Sequence, residues 1–274
     1  MKKSLSVIAV LLIIFCFIPL TGCKKKNGEN VFRVGMECDC APFNWTQSNE
    51  GIGTVPISGG GYAGGYDVEI AKLIADGLGK ELVIVKIEWD GLIPAVTSGR
   101  IDAVIADMSP TSERKETVNF SVPYYSSDLV IVIRKDSPYL DASSLSDFSG
   151  AKITGQLNTF HYTVIDQIPS VNLQTALENF PAMIVAINSG KIDGYVCERP
   201  EAVSASSANP GLTFVEFKEG NGFSYSSEEV DVAVALDKKN KDLAKINEII
   251  SSISESERET LMISALNNQP LVSG

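Results

Sequence analysis

Residues 99–114, GRIDAVIADMSPTSER, decide the fold of this chain. The glycine at the start ends a helix, and residues 101–106 form a continuously apolar strand of the kind that is buried in a parallel sheet. A turn with the hydroxyl residues Ser109 and Thr111 follows, and then a short helix that carries Arg114. Backbone N–H groups, hydroxyls and a guanidinium therefore meet beyond the carboxyl end of a buried strand, where α/β proteins bind anions.

A fainter copy of this stretch lies 91 residues further along the chain. Residues 95–107, AVTSGRIDAVIAD, align without a gap with residues 186–198, AINSGKIDGYVCE. Each copy contains a helix, a glycine, a basic residue, a buried strand and an acid. Helix–glycine–strand units recur in any α/β protein, but the shared Ser-Gly-basic-Ile-Asp core favours two similar lobes. Asp107 and Glu198 would then face each other across a common cleft.

The first 22 residues have the features of an export signal, with a charged start, a short apolar run and small residues at the end. The run is too short to span a bilayer comfortably. Leu-Thr-Gly before Cys23 resembles a bacterial lipobox, in which the cysteine is acylated and becomes the mature N-terminus. The alternative is an ordinary signal with a chance cysteine. Residues 23–30 are polar and are predicted to form a flexible tether.

Charge and cysteine content exclude several classes of function. The net charge of −11 argues against nucleic acid as a partner. After Cys23 the chain holds three cysteines, an odd number that implies no complete disulfide framework, so Cys38, Cys40 and Cys197 are predicted to be free thiols. The single histidine, His161, is predicted to lie on a helix surface. No metal-ligand spacing is visible, and no metal or cofactor is expected.

Strand and helix signals alternate along the rest of the chain, which predicts an α/β fold with a mainly parallel sheet in each of two lobes. A composition break at 134–138 is interpreted as the first crossing between lobes. The first lobe would then comprise residues 31–133 plus 229–274, and the second residues 134–228. The polar stretch 46–65 is predicted to be a surface loop that could cover the mouth of the cleft.

Six groups of residues together resemble the extracellular solute-binding proteins, of the family 3 type, that serve polar amino-acid ABC importers. The resemblance covers nearly the whole mature chain. It implies a type II periplasmic-binding-protein-like fold, with two α/β lobes joined by two hinge strands and the ligand between them. The groups are Gly35 with Ala41-Pro42-Phe43; Gly65-Tyr66-Asp67-Val68; Trp89-Asp90-Gly91-Leu92-Ile93-Pro94; Ser98-Gly99-Arg100-Ile101-Asp102; Thr111-Ser112-Glu113-Arg114; and Phe120-Ser121 with Pro123-Tyr124-Tyr125.

The resemblance also implies how an amino acid would be held. Arg114 would bind the α-carboxylate, with Ser109 and Thr111 beside it, and Thr159 would donate from the second lobe. Glu198 would bind the α-ammonium. These roles suit the chemistry, because the guanidinium fork is bidentate and always charged. An acid from the opposite lobe also makes closure of the lobes depend on the ligand.

The ligand's side chain would lie between Trp89 and Cys40, with Glu37 near its end. Cys40 stands where relatives have an aromatic residue, so an aromatic sandwich is in doubt unless Trp45 takes that place. Asn158 stands where relatives often have glycine, and asparagine tolerates the left-handed conformation better than most residues.

Four acids, Glu37, Asp39, Asp107 and Glu198, are expected to make the cleft negative. Such a cleft favours arginine, lysine, histidine or glutamine as the ligand. The sequence therefore predicts a substrate-binding lipoprotein, without catalytic residues, on the outer face of the bacterial cytoplasmic membrane. Its partners would be a free L-amino acid, the ABC permease and ATPase subunits, and the membrane through the lipid, and the protein would be a monomer. The alternatives are a cleft enzyme of the same fold, dehydratase-like, in which Asp107 and Glu198 would be an acid/base pair, and an amino-acid sensor.

Overall fold

A computed structural model describes residues 30–270. The predicted signal, the tether and Cys23 lie outside the described residues. The strands are β1 Val31–Met36, β2 Asp39–Cys40, β3 Asn44–Gln47, β4 Val55–Pro56, β5 Tyr62–Gly64, β6 Glu81–Lys86, β7 Ala103–Val104, β8 Val118–Phe120, β9 Tyr125–Ser126, β10 Leu129–Arg134, β11 Lys152–Thr154, β12 Asn172–Leu173, β13 Gly194–Glu198, β14 Leu212–Val215, β15 Asp231–Val232 and β16 Ala235–Asp237. The α-helices are α1 Tyr66–Leu78, α2 Leu92–Thr97, α3 Ser112–Thr117, α4 Phe160–Thr163, α5 Phe180–Asn188, α6 Arg199–Ala208, α7 Ser227–Val230, α8 Leu243–Ser252 and α9 Glu255–Asn268.

Two five-stranded sheets organise these elements. The strand order is β6-β1-β7-β16-β8 in the first sheet and β12-β11-β13-β10-β14 in the second. In each sheet three parallel strands come first, and the fourth strand runs antiparallel to both of its neighbours. We call the parts of the chain around these sheets the first and second lobes. The two-lobed α/β architecture predicted from the sequence is therefore confirmed, with sheets that are mixed in direction.

The repeat in the sequence corresponds to equivalent positions in the two sheets. β7 and β13 are the central strands of their sheets. The Arg33 backbone N–H donates to Asp102 Oδ2 at 2.8 Å, and the Asp102 N–H donates back to the Arg33 carbonyl at 2.8 Å. In the second lobe Lys152 and Asp193 make the same reciprocal pair, with both distances again 2.8 Å. The Ile-Asp of each copy therefore ties the central strand to its parallel neighbour.

The chain crosses between the lobes at a pair of short antiparallel strands, β9 and β15. The expected boundary at residues 134–138 is wrong, because β10 pairs with β13 and β14 and belongs to the second sheet. The crossing therefore lies at Tyr125–Ser126, before β10. An apolar strand pattern indicates burial but does not tell which sheet the strand joins, which is why the composition break misled the prediction.

The stretch 46–65 is not the irregular loop that was predicted. It contributes strands to a four-stranded antiparallel sheet in the order β2-β3-β5-β4. Trp45 is buried within this sheet, and its indole N–H donates to Gln47 Oε1 at 2.9 Å. A Cβ on Gly64 would lie 2.7 Å from the Trp45 ring, so the indole packs flat on the backbone there. Trp45 therefore packs in the first lobe and does not replace the missing aromatic residue.

The Gly65-Tyr66-Asp67 motif has a structural explanation in the first lobe. Gly65 has φ 125°, and a Cβ there would lie 2.2 Å from the Phe43 carbonyl oxygen, so only glycine fits. Asp67 is fully buried and accepts from Asn44 Nδ2 and from the Tyr124 hydroxyl, both at 2.7 Å. The motif therefore joins the small sheet, α1 and the segment that leads to the first crossing.

Among residues 30–270, none of the helices is both long and apolar enough to span a membrane.

Candidate functional site

A small cavity lies between the two lobes, at the ends of β1, β7 and β11. The first lobe lines it with acidic, basic, aromatic and small residues, and the second lobe lines it mainly with polar side chains from the segment that follows β11. The lining residues are Glu37, Cys40, Trp89, Ala106, Asp107, Ser109, Arg114, Gln156, Thr159, Phe160 and His161. Both signs of charge are therefore present in one enclosed space.

Arg114 provides the positive charge of the cavity. Thr111 caps α3 by accepting from the Arg114 backbone N–H at 3.4 Å. The guanidinium donates to the carbonyl of Ser109 at 2.9 Å and, across the cleft, to the carbonyl of Asn158 at 3.1 Å. Its carbon lies 5.1 Å from the centre of the Trp89 ring, within cation–π range. Burial lowers the pKa of Arg114 to about 10, so the group is charged at neutral pH.

The lobes meet directly around this cavity. Gln156 Nε2 of the second lobe donates to the Glu37 carboxylate of the first, at 3.1 Å and 3.3 Å to its two oxygens. Asn158 Nδ2 donates to Asp90 Oδ1 at 2.8 Å. Asn158 has φ 56°, the left-handed conformation that was predicted for it. These contacts close the cleft over the cavity.

Glu37 lies at the edge of the cavity with only 3% of its surface exposed. Burial raises its pKa to about 7, although the hydrogen bond from Gln156 acts in the opposite direction. Asp39 was expected to add to the charge of the cleft. It is not among the described residues that line the cavity, and its carboxylate pairs with Lys86 at 3.0 Å, but its charge contributes to the raised pKa of Glu37. Residues two apart on a continuous strand would share a face, but Cys38 has φ 59° and interrupts the strand between them, so Glu37 and Asp39 do not share one environment.

His161 is buried, not on a helix surface as predicted. Its Nε2 lies 3.0 Å from Glu198 Oε2, and Glu198 is 1% exposed. Burial alone would lower the pKa of His161, but the negative charge of Glu198 outweighs burial and raises it. Burial likewise acts to raise the pKa of Glu198, and the His161 charge more than offsets it. Each member of this pair in the second lobe therefore stabilises the charged form of the other.

Three side chains from both lobes form a second cluster beside this pair. Cys40 Sγ lies 3.3 Å from Glu201 Oε1 and 3.7 Å from Asp107 Oδ2. Burial, reinforced by the charge of Glu198, raises the pKa of Glu201 to about 8. Burial, Glu198 and Glu201 together raise the pKa of Asp107 well above its usual range. These two carboxyls therefore hold their protons more tightly than ordinary carboxyls, and a positively charged group beside them would favour their ionised forms.

A family model described as bacterial extracellular solute-binding proteins, family 3, matches residues 32–262. The chain belongs to this family. A probable histidine-binding protein of Campylobacter jejuni is 30% identical over 259 residues, which cover 90% of this chain and 91% of that protein. An arginine-binding extracellular protein of Bacillus subtilis is 26% identical over 263 residues, which cover 93% of this chain and 94% of that protein.

Solved structures agree with this family assignment. A crystal structure of an amino acid ABC transporter substrate-binding protein from Streptococcus pneumoniae, bound to L-arginine, has a TM-score of 0.76 and 26% identity. The superposition covers 88% of this chain and 95% of the chain from Streptococcus pneumoniae. A crystal structure of the substrate-binding protein of an amino acid ABC transporter has a TM-score of 0.72 and 32% identity. The superposition covers 86% of this chain and 99% of that chain. The family consists of solute-binding proteins, so this chain is a binding protein and not a cleft enzyme.

The structure of this solute-binding protein brings most of the predicted site residues together. Arg114, Ser109, Asp107, Trp89, Glu37, Cys40 and Thr159 all line the cavity. Thr111 lines instead the wider groove outside it, where its hydroxyl caps α3. Glu198 is not among the described residues that line the cavity, since His161 occupies that wall and Glu198 contacts the ring.

Sequence reasoning missed the polar and aromatic residues Gln156, Phe160 and His161, which line the cavity of this family 3 protein, and Glu201, which lies beside it. The available signal was proximity to residues that were predicted. His161 lies two residues after Thr159, at the start of α4. Glu201 lies three residues after Glu198, so both belong to the first turn of α6. Nothing local in the sequence shows that these side chains turn toward the cleft.

Proposed function

We propose that this chain is the substrate-binding component of an ABC importer and that it captures a basic L-amino acid, with arginine as the first candidate. The observation that carries the proposal is an inter-lobe cavity with Arg114 on one wall and the buried acids Glu37 and Asp107 on the others. An amino acid with a basic side chain carries one negative and two positive groups. The cavity offers a matching guanidinium and two separate carboxyl groups.

The α-carboxylate is assigned to Arg114. The guanidinium has five N–H donors, of which the Ser109 and Asn158 carbonyls use one each. The remaining donors, together with the Ser109 hydroxyl, suit a carboxylate in a site with little water. Thr159 lies on the opposite lobe, where its hydroxyl donates to the Gln156 carbonyl at 2.7 Å and keeps its lone pairs and backbone N–H near the ligand.

The α-ammonium is assigned to Asp107, with Glu198 acting from behind His161. Asp107 lines the cavity, and its Oδ1 accepts no hydrogen bond from any of residues 30–270. Glu198 carries the opposing charge of the second lobe, but His161 already pairs with it. An ammonium beside Asp107 would relieve the repulsion among Asp107, Glu198 and Glu201, whose buried carboxyls otherwise disfavour one another.

The cationic end of the side chain is assigned to Glu37, with Trp89 along the aliphatic part. Glu37 is buried and faces the second lobe through Gln156. A guanidinium or ammonium there would hold Glu37 in its ionised form, whereas an acidic side chain would be repelled. The curated relatives that bind arginine and histidine, and the structure bound to L-arginine, support this assignment.

Residues 1–30 and the family suggest where the protein works. A lipidated Cys23 would hold the binding unit at the outer face of the cytoplasmic membrane, since two or more acyl chains anchor stably. The polar residues 23–30 would act as the tether. The binding unit would then deliver its ligand, as a monomer, to the permease and ATPase subunits. Labelling of growing cells with a fatty-acid probe tests the anchor, and Cys23→Ser is expected to abolish the label.

A thermal-shift screen of the twenty amino acids, followed by calorimetry on those that stabilise the protein, tests the binding function. We expect a large shift with arginine, smaller shifts with lysine, histidine and glutamine, and none with aspartate or glutamate. Mass spectrometry of the incubated ligand should find it unchanged. A shift with acidic amino acids, or with none of the twenty, would overturn the proposal.

A further inference from the structure

A second observation concerns the cluster of Cys40, Asp107 and Glu201, which a bound amino acid does not fully explain. One oxygen from each acid and the Cys40 sulfur all lie within 4.8 Å of one another. All three residues are buried, with exposed fractions of 4%, 8% and 2% respectively. Cys40 and Asp107 come from the first lobe and Glu201 comes from the second. The cluster therefore forms when the lobes close.

The spacing of the donor atoms matches that of ligands around one small divalent cation. A tetrahedral zinc ion with Zn–S of about 2.3 Å and Zn–O of about 2.0 Å separates sulfur and oxygen ligands by about 3.5 Å. The observed separations from Cys40 Sγ are 3.3 Å to Glu201 Oε1 and 3.7 Å to Asp107 Oδ2. They lie on either side of that value.

Unsatisfied polar atoms in the same place provide the independent observation. Within residues 30–270, Asp107 Oδ1 and Glu201 Oε2 are buried and accept no hydrogen bond. His161 lines the same cavity as Cys40 and Asp107, and its Nδ1 also has no hydrogen-bond partner in the described chain. Buried polar atoms are rarely left unpaired, because each costs about 1–3 kcal/mol. These are the second oxygens of the two carboxylates whose other oxygens approach Cys40 Sγ, so a cation bound by both oxygens of a carboxylate would pair them, and a water would be available as a further ligand.

We propose that Cys40, Asp107 and Glu201 form a site for a divalent transition-metal cation of the zinc class. A thiolate with two carboxylates is a donor set that zinc accepts, whereas magnesium and calcium favour oxygen ligands alone. The thiol, and each of the two carboxyls that is protonated, releases its proton to solvent when the metal binds. Because the ligands come from both lobes, the metal would bridge the cleft. This inference goes beyond the amino-acid function. Because both use Asp107, the metal and the α-ammonium would compete for that carboxylate, and the test below measures each alone.

The test uses the purified full-length protein, dialysed against a chelator and free of amino acids. Zn²⁺ alone is titrated in competition with a chromophoric chelator, and Co²⁺ replaces it as the spectroscopic probe. We expect one equivalent of metal to bind and Co²⁺ to give a thiolate-to-metal charge-transfer band. Cys40→Ser should abolish the band, and both Cys40→Ser and Glu201→Gln should weaken zinc binding at least about tenfold.

Cys38→Ser is the matched control, because Cys38 is also a buried free thiol but its sulfur faces the Met36 carbonyl at 3.9 Å. This variant should keep the metal and the band. Melting curves in chelator check that each variant folds. If Cys40→Ser does not fold, the zinc affinity of Glu201→Gln tests the site. Zinc binding equally well to wild type and to the folded variants, or Co²⁺ spectra without a thiolate band, would overturn the site. Arginine titrated in chelator tests the proposed function separately, so either proposal can fail alone.

Discussion

His161 Nε2 lies 3.0 Å from Glu198 Oε2, and both residues are buried in the second lobe. Glu198 is the N-cap residue of α6, where the partial positive charge of the helix start also favours a carboxylate. His161 therefore balances the charge of Glu198. Among the described residues, the acids that line the cavity are Glu37 and Asp107, both from the first lobe.

The single histidine makes the His161–Glu198 pair directly measurable. Glu198 raises the pKa of His161. The contribution of the pair to the free energy of unfolding is therefore fully present below the ordinary pKa of histidine, and it is lost as the pH rises through the raised pKa. NMR of the imidazole in a protein without a histidine tag should give a pKa above about 6.5. His161→Gln leaves Glu198 without its cation and should lower the free energy of unfolding by about 3 kcal/mol at pH 6, and by less at higher pH. An ordinary or lowered pKa would contradict the pair.

Arg114→Ala should weaken arginine binding by at least about 2 kcal/mol, or roughly 30-fold, because the α-carboxylate would be buried without a partner. Isothermal calorimetry measures the affinity. Arg100→Ala is the matched control, since Arg100 is exposed and lies outside the cavity, and its affinity should match wild type. Near-normal affinity in Arg114→Ala would refute the assignment of the carboxylate.

Glu37→Gln should change which amino acid binds and how binding depends on pH. Burial raises the Glu37 pKa to about 7, so the ionised form that attracts a cation becomes dominant as the pH rises from about 6 to 8. The affinity for arginine should rise over this pH range in the wild type and should rise less in Glu37→Gln. At pH 8 the substitution should weaken the free energy of arginine binding by about 2 kcal/mol. Asp141→Asn is the control, since Asp141 is exposed and lies outside the cavity, and it should keep the wild-type pH dependence. Identical profiles for Glu37→Gln and wild type would remove Glu37 from the site.

The repeated aspartates provide a test of the two-lobe repeat. Asp102→Ala removes the acceptor of the Arg33 backbone N–H and of the Arg33 guanidinium, and should cost about 2 kcal/mol of unfolding free energy. Asp193→Ala removes only the acceptor of the Lys152 N–H and should cost about 1 kcal/mol. Urea denaturation measures both. Asp136→Ala, an exposed control, should stay within about 0.5 kcal/mol of wild type. Equal, negligible effects at both aspartates would show that these bonds do not stabilise the sheets.

Much of the fold was accessible from the sequence because its signals are local. The strand at residues 31–36, the helix that ends at Gly79 and the helix start at Ser112 all agree with the structure, since capping and periodicity act over a few residues. The 91-residue repeat correctly paired the central strands of the two sheets. Arg114 could be placed at the cleft because a strand end and the helix that follows it are neighbours in both sequence and space.

Only the tertiary structure decided which residues that are distant along the chain contact each other. Membership of β10 in the second sheet depends on its pairing with β13 and β14, which its own apolar pattern does not encode. The packing of His161 against Glu198, and the meeting of Cys40 with Glu201 across the lobes, depend on how separate elements are oriented. A pattern in one sequence reports whether a side chain is buried, but its partner is set by how separate elements pack within a lobe and across the cleft.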